Sequence, residues 1–241
     1  GLFGYANTHL KQLDPALVDK CRQALNTLYH RGPDDMGEII RNNVYHGHRR
    51  LSILDLSASG RQPMQTPDDP VFISVNGEIY NHKDLRAELG AEKFQSHSDS
   101  EVVLHGYHAW GLEKLAEKLE GMYAIVIHDT RAGKIHLIRD RAGVKPMHYY
   151  YKDGTLSWAS ELKAIVRMMS GSLREDVTAL YDYLTYRYIP APKTFYKNVK
   201  KLEPAHILSF DLNNGDIRKQ CYWSLECRDN NESSERMKKT L

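Results

Sequence analysis

Cysteine is scarce in this chain and forms no framework. Across 241 residues there are 3 cysteines, Cys21, Cys221 and Cys227. The number is odd and none of the spacings is CxxC, so no small-disulfide scaffold is encoded and a reducing, cytoplasmic compartment is the expectation. No charge of one sign dominates: Lys plus Arg number 33 against 31 for Asp plus Glu. That balance provides no general field for nucleic acid or an anionic membrane, so neither is expected as a partner. No apolar run approaches the roughly 18 residues of a membrane span, and the first residues lack the charged and apolar regions of a signal peptide. Internal repeats and low-complexity tracts are also missing, and the length fits one large layered domain.

Turn and periodicity signals are plentiful. Asp14 and Pro15 supply a helix cap and a first-turn proline, after which Leu17, Cys21, Leu25 and Leu28 recur at helical spacing. This helix is expected to stop near Arg31-Gly32-Pro33. The β-branched and aromatic run 71–75 reads as a strand that closes in a tight turn at Asn76-Gly77. Further strands are predicted over 123–128, 135–139, 147–151 and 156–159, the last two joined as a hairpin by Lys152-Asp153-Gly154. A second hairpin is predicted over 207–223 around Asn213-Asn214-Gly215.

Helices are predicted over 82–89, 100 to about 119, 160–169 and 177–186, with Ser98 and Glu101 as a capping box for the longest. Hairpins joined by a few helices imply an α+β fold: largely antiparallel sheets with helices segregated to their faces. The polar stretch 228–235 reads as a linker and 236–241 as the opening of a helix. Residues 1–227 are therefore expected to form one domain and 228–241 the passage to another. His46 and His48 would share one face of a strand, but no third ligand accompanies them, so no metal site is assigned. The lysines between Lys193 and Lys201 read as a solvated face.

Several short motifs occur in a fixed order: Gly1-Leu2-Phe3-Gly4, His30-Arg31-Gly32-Pro33-Asp34, His48-Arg49-Arg50-Leu51-Ser52-Ile53, Asn76-Gly77-Glu78-Ile79-Tyr80-Asn81 and Ser98-Asp99-Ser100-Glu101. The series continues with Arg139-Asp140-Arg141-Ala142-Gly143-Val144-Lys145-Pro146, Ala159-Ser160-Glu161-Leu162-Lys163 and Tyr188-Ile189-Pro190-Ala191-Pro192. Each piece alone is weak; the ordered set, spanning nearly the whole chain, closely resembles class II glutamine amidotransferases of the asparagine synthetase type. The resemblance implies a four-layer αββα sandwich of the N-terminal nucleophile hydrolase type. In that fold an N-terminal cysteine attacks the glutamine carboxamide and its own α-amino group acts as base.

The same resemblance implies the site. Asn76 and Gly77 match the oxyanion hole, through a side-chain amide and a backbone N–H. Arg50 matches the residue that pairs with the glutamine α-carboxylate, and Asp99 the carboxylate that receives the α-ammonium. Leu51, Ile53 and Glu78 are carried over as pocket-lining residues. On the residues alone, a hairpin turn at Asn76-Gly77, a surface arginine on a strand and an acidic residue at a helix start stay open as readings.

The nucleophilic cysteine falls immediately before Gly1, at a position this sequence does not contain. Three explanations stand open: it is omitted because disordered or modified, it has been removed by engineering, or the protein naturally lacks it. As written, the chain is expected not to hydrolyse glutamine. With the cysteine in place, the implied partners are glutamine and a C-terminal ATP-dependent synthetase domain that activates the β-carboxyl of aspartate; a homodimer is also expected. ATP and Mg²⁺ would belong to that absent domain, whose Ser-Gly-Gly-type loop is nowhere in this chain, and no cofactor is expected here. Two alternatives accompany this reading: amidation of another carboxylate, such as a sugar uronic acid, and a catalytically silent glutamine-binding domain.

Overall fold

The computed structural model describes residues 1–51, 57–65 and 70–225. The N-terminal strand β1 (Leu2–Asn7) is almost wholly buried. It lies between two antiparallel neighbours, one spanning Val44–Arg50 (β3) and one spanning Thr155–Ala159 (β8). Three more strands complete this sheet: Asp35–Arg41 (β2), His148–Lys152 (β7) and Val199–Lys201 (β9), in the order β2-β3-β1-β8-β7-β9. A second antiparallel sheet contains Val71–Ile79 (β4), Gly121–Asp129 (β5), Lys134–Arg139 (β6), His206–Asp211 (β10) and Ile217–Cys221 (β11). Its order is β11-β10-β6-β5-β4.

Alternation along each strand sorts side chains between two faces. Leu2, Val44 and Trp158 of the first sheet meet Val126, Leu137 and Phe210 of the second in an apolar layer between the sheets. Phe3 and Tyr45 point the other way, onto helix Pro15–Asn26 (α1) and helix Leu162–Met168 (α4). Ile73, Val75 and Ile125 point outward onto helix His82–Leu89 (α2) and helix Glu101–Lys118 (α3). The four layers are therefore helices, sheet, sheet, helices, as the αββα expectation requires. A further helix, Val177–Tyr186 (α5), buries Ala179 but leaves Tyr181 and Leu184 exposed.

The structure corrects four local expectations. The chain does not turn at Asn76-Gly77: β4 runs straight through both residues, in register with Ala124 and Tyr123 of β5. Gly77 has φ +153°, and a Cβ there would stand 2.0 Å from Met122 O, so this glycine serves a close strand approach rather than a reversal. Ser98 and Glu101 form no capping box. The Glu101 carboxylate instead accepts from Gln95 N–H, Ser96 N–H and the Ser96 hydroxyl, binding the incoming loop to the helix side. Helix α1 ends at Asn26, and a separate 3₁₀ turn over Tyr29–Arg31 carries the chain to Gly32. Helix α4 starts at Leu162, which leaves Ser160 and Glu161 outside it. The linker expected at 228–241, like Cys227, lies outside the described residues.

One edge of the inter-sheet layer is polar. β3 sends both His46 and His48 into it, on one face as their spacing required, and His46 meets the Trp158 ring edge-on at 5.9 Å. Among the described residues, neither ring nitrogen of His46 has a hydrogen-bond partner, nor do His48 Nδ1 and Trp158 Nε1. Burial pushes His46 down to about 3 and His48 well below the ordinary histidine range. Burial likewise lowers His128, His136 and His148 to about 4.

All five are neutral in the fold and gain a proton more readily once unfolded. Their contribution is complete above pH 6.5 and is lost progressively as pH falls toward 4. At pH 5 each of the four held at about 3 to 4 favours the unfolded chain by roughly 2 kcal/mol, so together they are comparable with the ~5–15 kcal/mol net stability of an ordinary domain. Thermal unfolding followed from pH 7.5 to 4.5 is expected to show a steep fall in Tm below pH 6.5. His46→Leu, which removes one buried base, should move that fall to lower pH; a flat Tm profile would contradict the account.

Candidate functional site

Strand β4 forms an edge of its sheet, so its outward N–H groups need partners that are not another strand. Ile73 exchanges backbone hydrogen bonds with Met64, at 2.9 and 2.7 Å. Val75 N–H donates to Gln62 Oε1 at 2.6 Å, and Ile79 N–H donates to Asp99 Oδ2 at 2.7 Å. Strand alternation places Gly77 N–H on this same edge, between the two side-chain acceptors. There it borders a cleft of about 400 Å³, a volume in the range of small-molecule sites.

The sequence-predicted residues converge on that cleft. Arg50, Leu51, Asn76, Gly77, Glu78 and Asp99 all line it. Ile53 lies outside the described residues. Arg50 sits at the end of β3, is buried and donates through Nη1 to Ser57 O at 2.8 Å. Leu51, the next residue, is 56% exposed and forms part of the rim. Burial raises the pKa of Asp99, and the neighbouring Glu78 adds to the rise, while the bond from Ile79 N–H opposes it. A cation placed beside Asp99 would therefore meet a carboxylate that gains by acquiring a counter-charge.

Gly1 closes the inner end. Its amine donates to Arg49 O, and Arg49 N–H returns a bond to Gly1 O at 2.8 Å, so the chain enters the cleft as an extension of the β1–β3 ladder. Burial, and secondly the Arg31 guanidinium, lower the pKa of an amine at this point to about 5. Above it lies a charged cluster. Glu161 Oε1 accepts from His30 Nε2 at 2.8 Å and Arg31 Nη1 at 3.1 Å, and Oε2 pairs with Lys163 at 3.1 Å. Burial alone would raise the Glu161 pKa, but these bonds hold it at about 2.

Two structural participants escaped the reading of the sequence. Gln62 spans the cleft wall: besides accepting from Val75, its Nε2 donates to Ser100 Oγ at 3.3 Å, next to Asp99. Ser160 accepts Leu2 N–H at 2.9 Å and is reached by Asn76 Nδ2 at 3.5 Å. Nothing local in the sequence marks Gln62. Ser160 stands in a motif, but one that gave it no partner.

The profile of the glutamine amidotransferase domain family matches residues 1–223. A putative asparagine synthetase (glutamine-hydrolyzing) 2 of Methanocaldococcus jannaschii is 37% identical over 228 residues, covering 86% of this chain and 43% of the relative. Asparagine synthetase (glutamine-hydrolyzing) 3 of Bacillus subtilis is 36% identical, over 86% of this chain and 34% of its own length. An amidase, chyE, of Penicillium rubens is 35% identical, over 88% and 31%. The chain thus spans less than half the length of these relatives. Among solved structures, glutamine phosphoribosylpyrophosphate amidotransferase from B. subtilis shares the fold, with a TM-score of 0.67 at 16% identity over 92% of this chain and 49% of that one.

Because a Cβ on Gly77 would collide with backbone rather than with a movable side chain, Gly77→Ala must part β4 from β5. Chemical denaturation is expected to show a loss of at least about 2 kcal/mol. A variant as stable as the parent would mean that the strands are not so closely apposed.

Proposed function

The chain belongs to the glutamine amidotransferase domain family, and from that premise we propose that it is the glutamine-hydrolysing half of an asparagine synthetase-like enzyme. The observation that carries the reading is that the Gly77 edge of β4, the Asn76 amide, Arg50 and Asp99 all line one cleft. A free amino acid enters with its α-carboxylate on Arg50 and its α-ammonium at Asp99, where burial has prepared a site for positive charge. Its side-chain carboxamide then lies toward Asn76 and Gly77. Leu51 and Glu78 line the same space, and Ile53 is proposed with them.

In this reading a cysteine joined to Gly1 N is the nucleophile. Its thiolate sulfur attacks the carboxamide carbon, and the carbonyl oxygen takes up the developing negative charge facing Asn76 Nδ2 and Gly77 N–H. The α-amine of that cysteine moves a proton from the thiol to the departing nitrogen. Ammonia leaves, a thioester remains, and water attacks it through a second oxyanion to release glutamate and restore the thiol. This chemistry needs no cofactor in the domain.

The remaining length of the relatives is proposed to correspond to a synthetase domain following residues 1–227, with 228–241 as the passage. ATP and Mg²⁺ are proposed to act there on the β-carboxyl of aspartate, in the cytoplasm. A second reading is delivery of the ammonia to another carboxylate, such as a sugar uronic acid, since acceptor choice lies outside this chain.

A full-length protein carrying a free N-terminal cysteine before Gly1 is expected to release glutamate from glutamine. Asn76→Ala should lower kcat about 10²- to 10³-fold with a small change in KM, as loss of an oxyanion donor does. Arg50→Lys should chiefly raise KM, since a point charge replaces a two-pronged fork. Absence of glutaminase activity in the cysteine-bearing protein would defeat the proposal. Acceptor identity is checked separately: with glutamine and ATP, aspartate is expected to yield asparagine, and amidation of a uronic acid instead would establish the second reading.

A further inference from the structure

Ser160 touches both halves of the machinery while belonging to neither. It is fully buried, between the end of β8 and the start of α4. Its N–H donates to Leu2 O at 2.9 Å, and its hydroxyl oxygen accepts Leu2 N–H, also at 2.9 Å. Leu2 is thus gripped on both its backbone groups one residue after Gly1. The same oxygen is 3.5 Å from Asn76 Nδ2, across the interface between the two sheets. Asn76 is only partly buried, at the one place where β4 borders the cleft.

These contacts fix a relation that neither sheet fixes alone. The first sheet carries the residue chain that leads to the nucleophile; the second carries the oxyanion donors. Inter-sheet packing nearby is apolar and sets a spacing, but it is non-directional. A hydroxyl bonded to a backbone N–H of one sheet and a side-chain amide of the other adds direction. Such a contact opposes rotation of the Asn76 amide about its last side-chain bond, which is soft in asparagine.

We propose that Ser160 is the positioning residue that registers the Asn76 amide against the N-terminal strand for the hydrolysis of glutamine. The inference rests on the reading of the site as a glutaminase. Ser160 makes no contact with substrate in this role; it acts through Asn76.

The test uses the full-length protein with cysteine preceding Gly1. Ser160→Ala is expected to reduce kcat about tenfold with KM within twofold of the parent. In an Asn76→Ala background the same substitution should change kcat less than twofold, because the group through which it acts is gone. An equal loss in both backgrounds would make Ser160 merely structural and overturn the inference, as would an unchanged kcat in the single variant. Should alanine prevent folding, Ser160→Cys keeps the shape with a somewhat larger atom and offers a feebler acceptor. It is then expected to lower kcat three- to tenfold at unchanged KM, and full activity would count against the role.

A second readout does not depend on turnover. With ¹⁵N-asparagine labelling, the Asn76 side-chain amide resonances should shift in the folded Ser160 variant in the absence of substrate. Unmoved resonances overturn the placement even if the parent hydrolyses glutamine. Shifted resonances in a parent that lacks glutaminase activity would keep the contact and reject the function.

Discussion

A β-strand at the edge of a sheet must dispose of every second N–H, and the cleft of this protein is organised around how β4 does so. Met64 O, Gln62 Oε1 and Asp99 Oδ2 take the groups of Ile73, Val75 and Ile79. Gly77 stands between the last two acceptors, at the border of the cleft. An edge donor left facing a cleft differs from one facing water, because the surrounding protein holds its direction before any ligand arrives. Much of the remaining architecture keeps β4 in place. The close approach of β5 is permitted only by the missing side chains of Gly77 and Gly121, and Gln62 ties the strand to the loop bearing Asp99.

Burial supplies the electrostatics. The same exclusion of water that neutralises His46 and His48 between the sheets raises the pKa of Asp99 at the cleft. Each shift has desolvation as its leading cause, yet the consequences differ with position. Deep between the sheets it makes the fold sensitive to acid; at the cleft it leaves a carboxylate in want of a cation. Glu161 is the exception, where three basic neighbours overcome burial and give a fixed anion beside Arg31.

Local signals in the sequence were read well where one residue's own conformational preference decides the outcome. Asp14 caps α1 through a bond from Leu17 N–H, Asp153-Gly154 turns β7 into β8, and helices α2 and α5 fall where periodicity puts them. The failures share a cause. Asn76-Gly77 has the propensity for a hairpin, yet nine residues of β5 are available as a partner and pairing overrides the turn. Ser98 and Glu101 have capping spacing, but the glutamate reaches farther bonds in the preceding loop. Those competing partners are remote or conformationally determined, so no short window of sequence can weigh them.

From the sequence by itself, the order of short motifs picks out Arg50, Leu51, Asn76, Gly77, Glu78 and Asp99, and all six border one cleft. The succession of hairpins and helices likewise points to antiparallel sheets covered by helices. Only the tertiary structure decided that Gly77 is an edge donor rather than a turn, that Gln62 closes the bond beside it, and that Ser160 joins the Asn76 amide to the N-terminal strand. The physical reason is separation along the chain. Asn76 and Ser160 lie 84 residues apart, and their meeting depends on two sheets packing face to face. Composition and periodicity encode that packing only as a tendency to bury apolar faces, whereas the directions of individual hydrogen bonds follow from the packing once it exists.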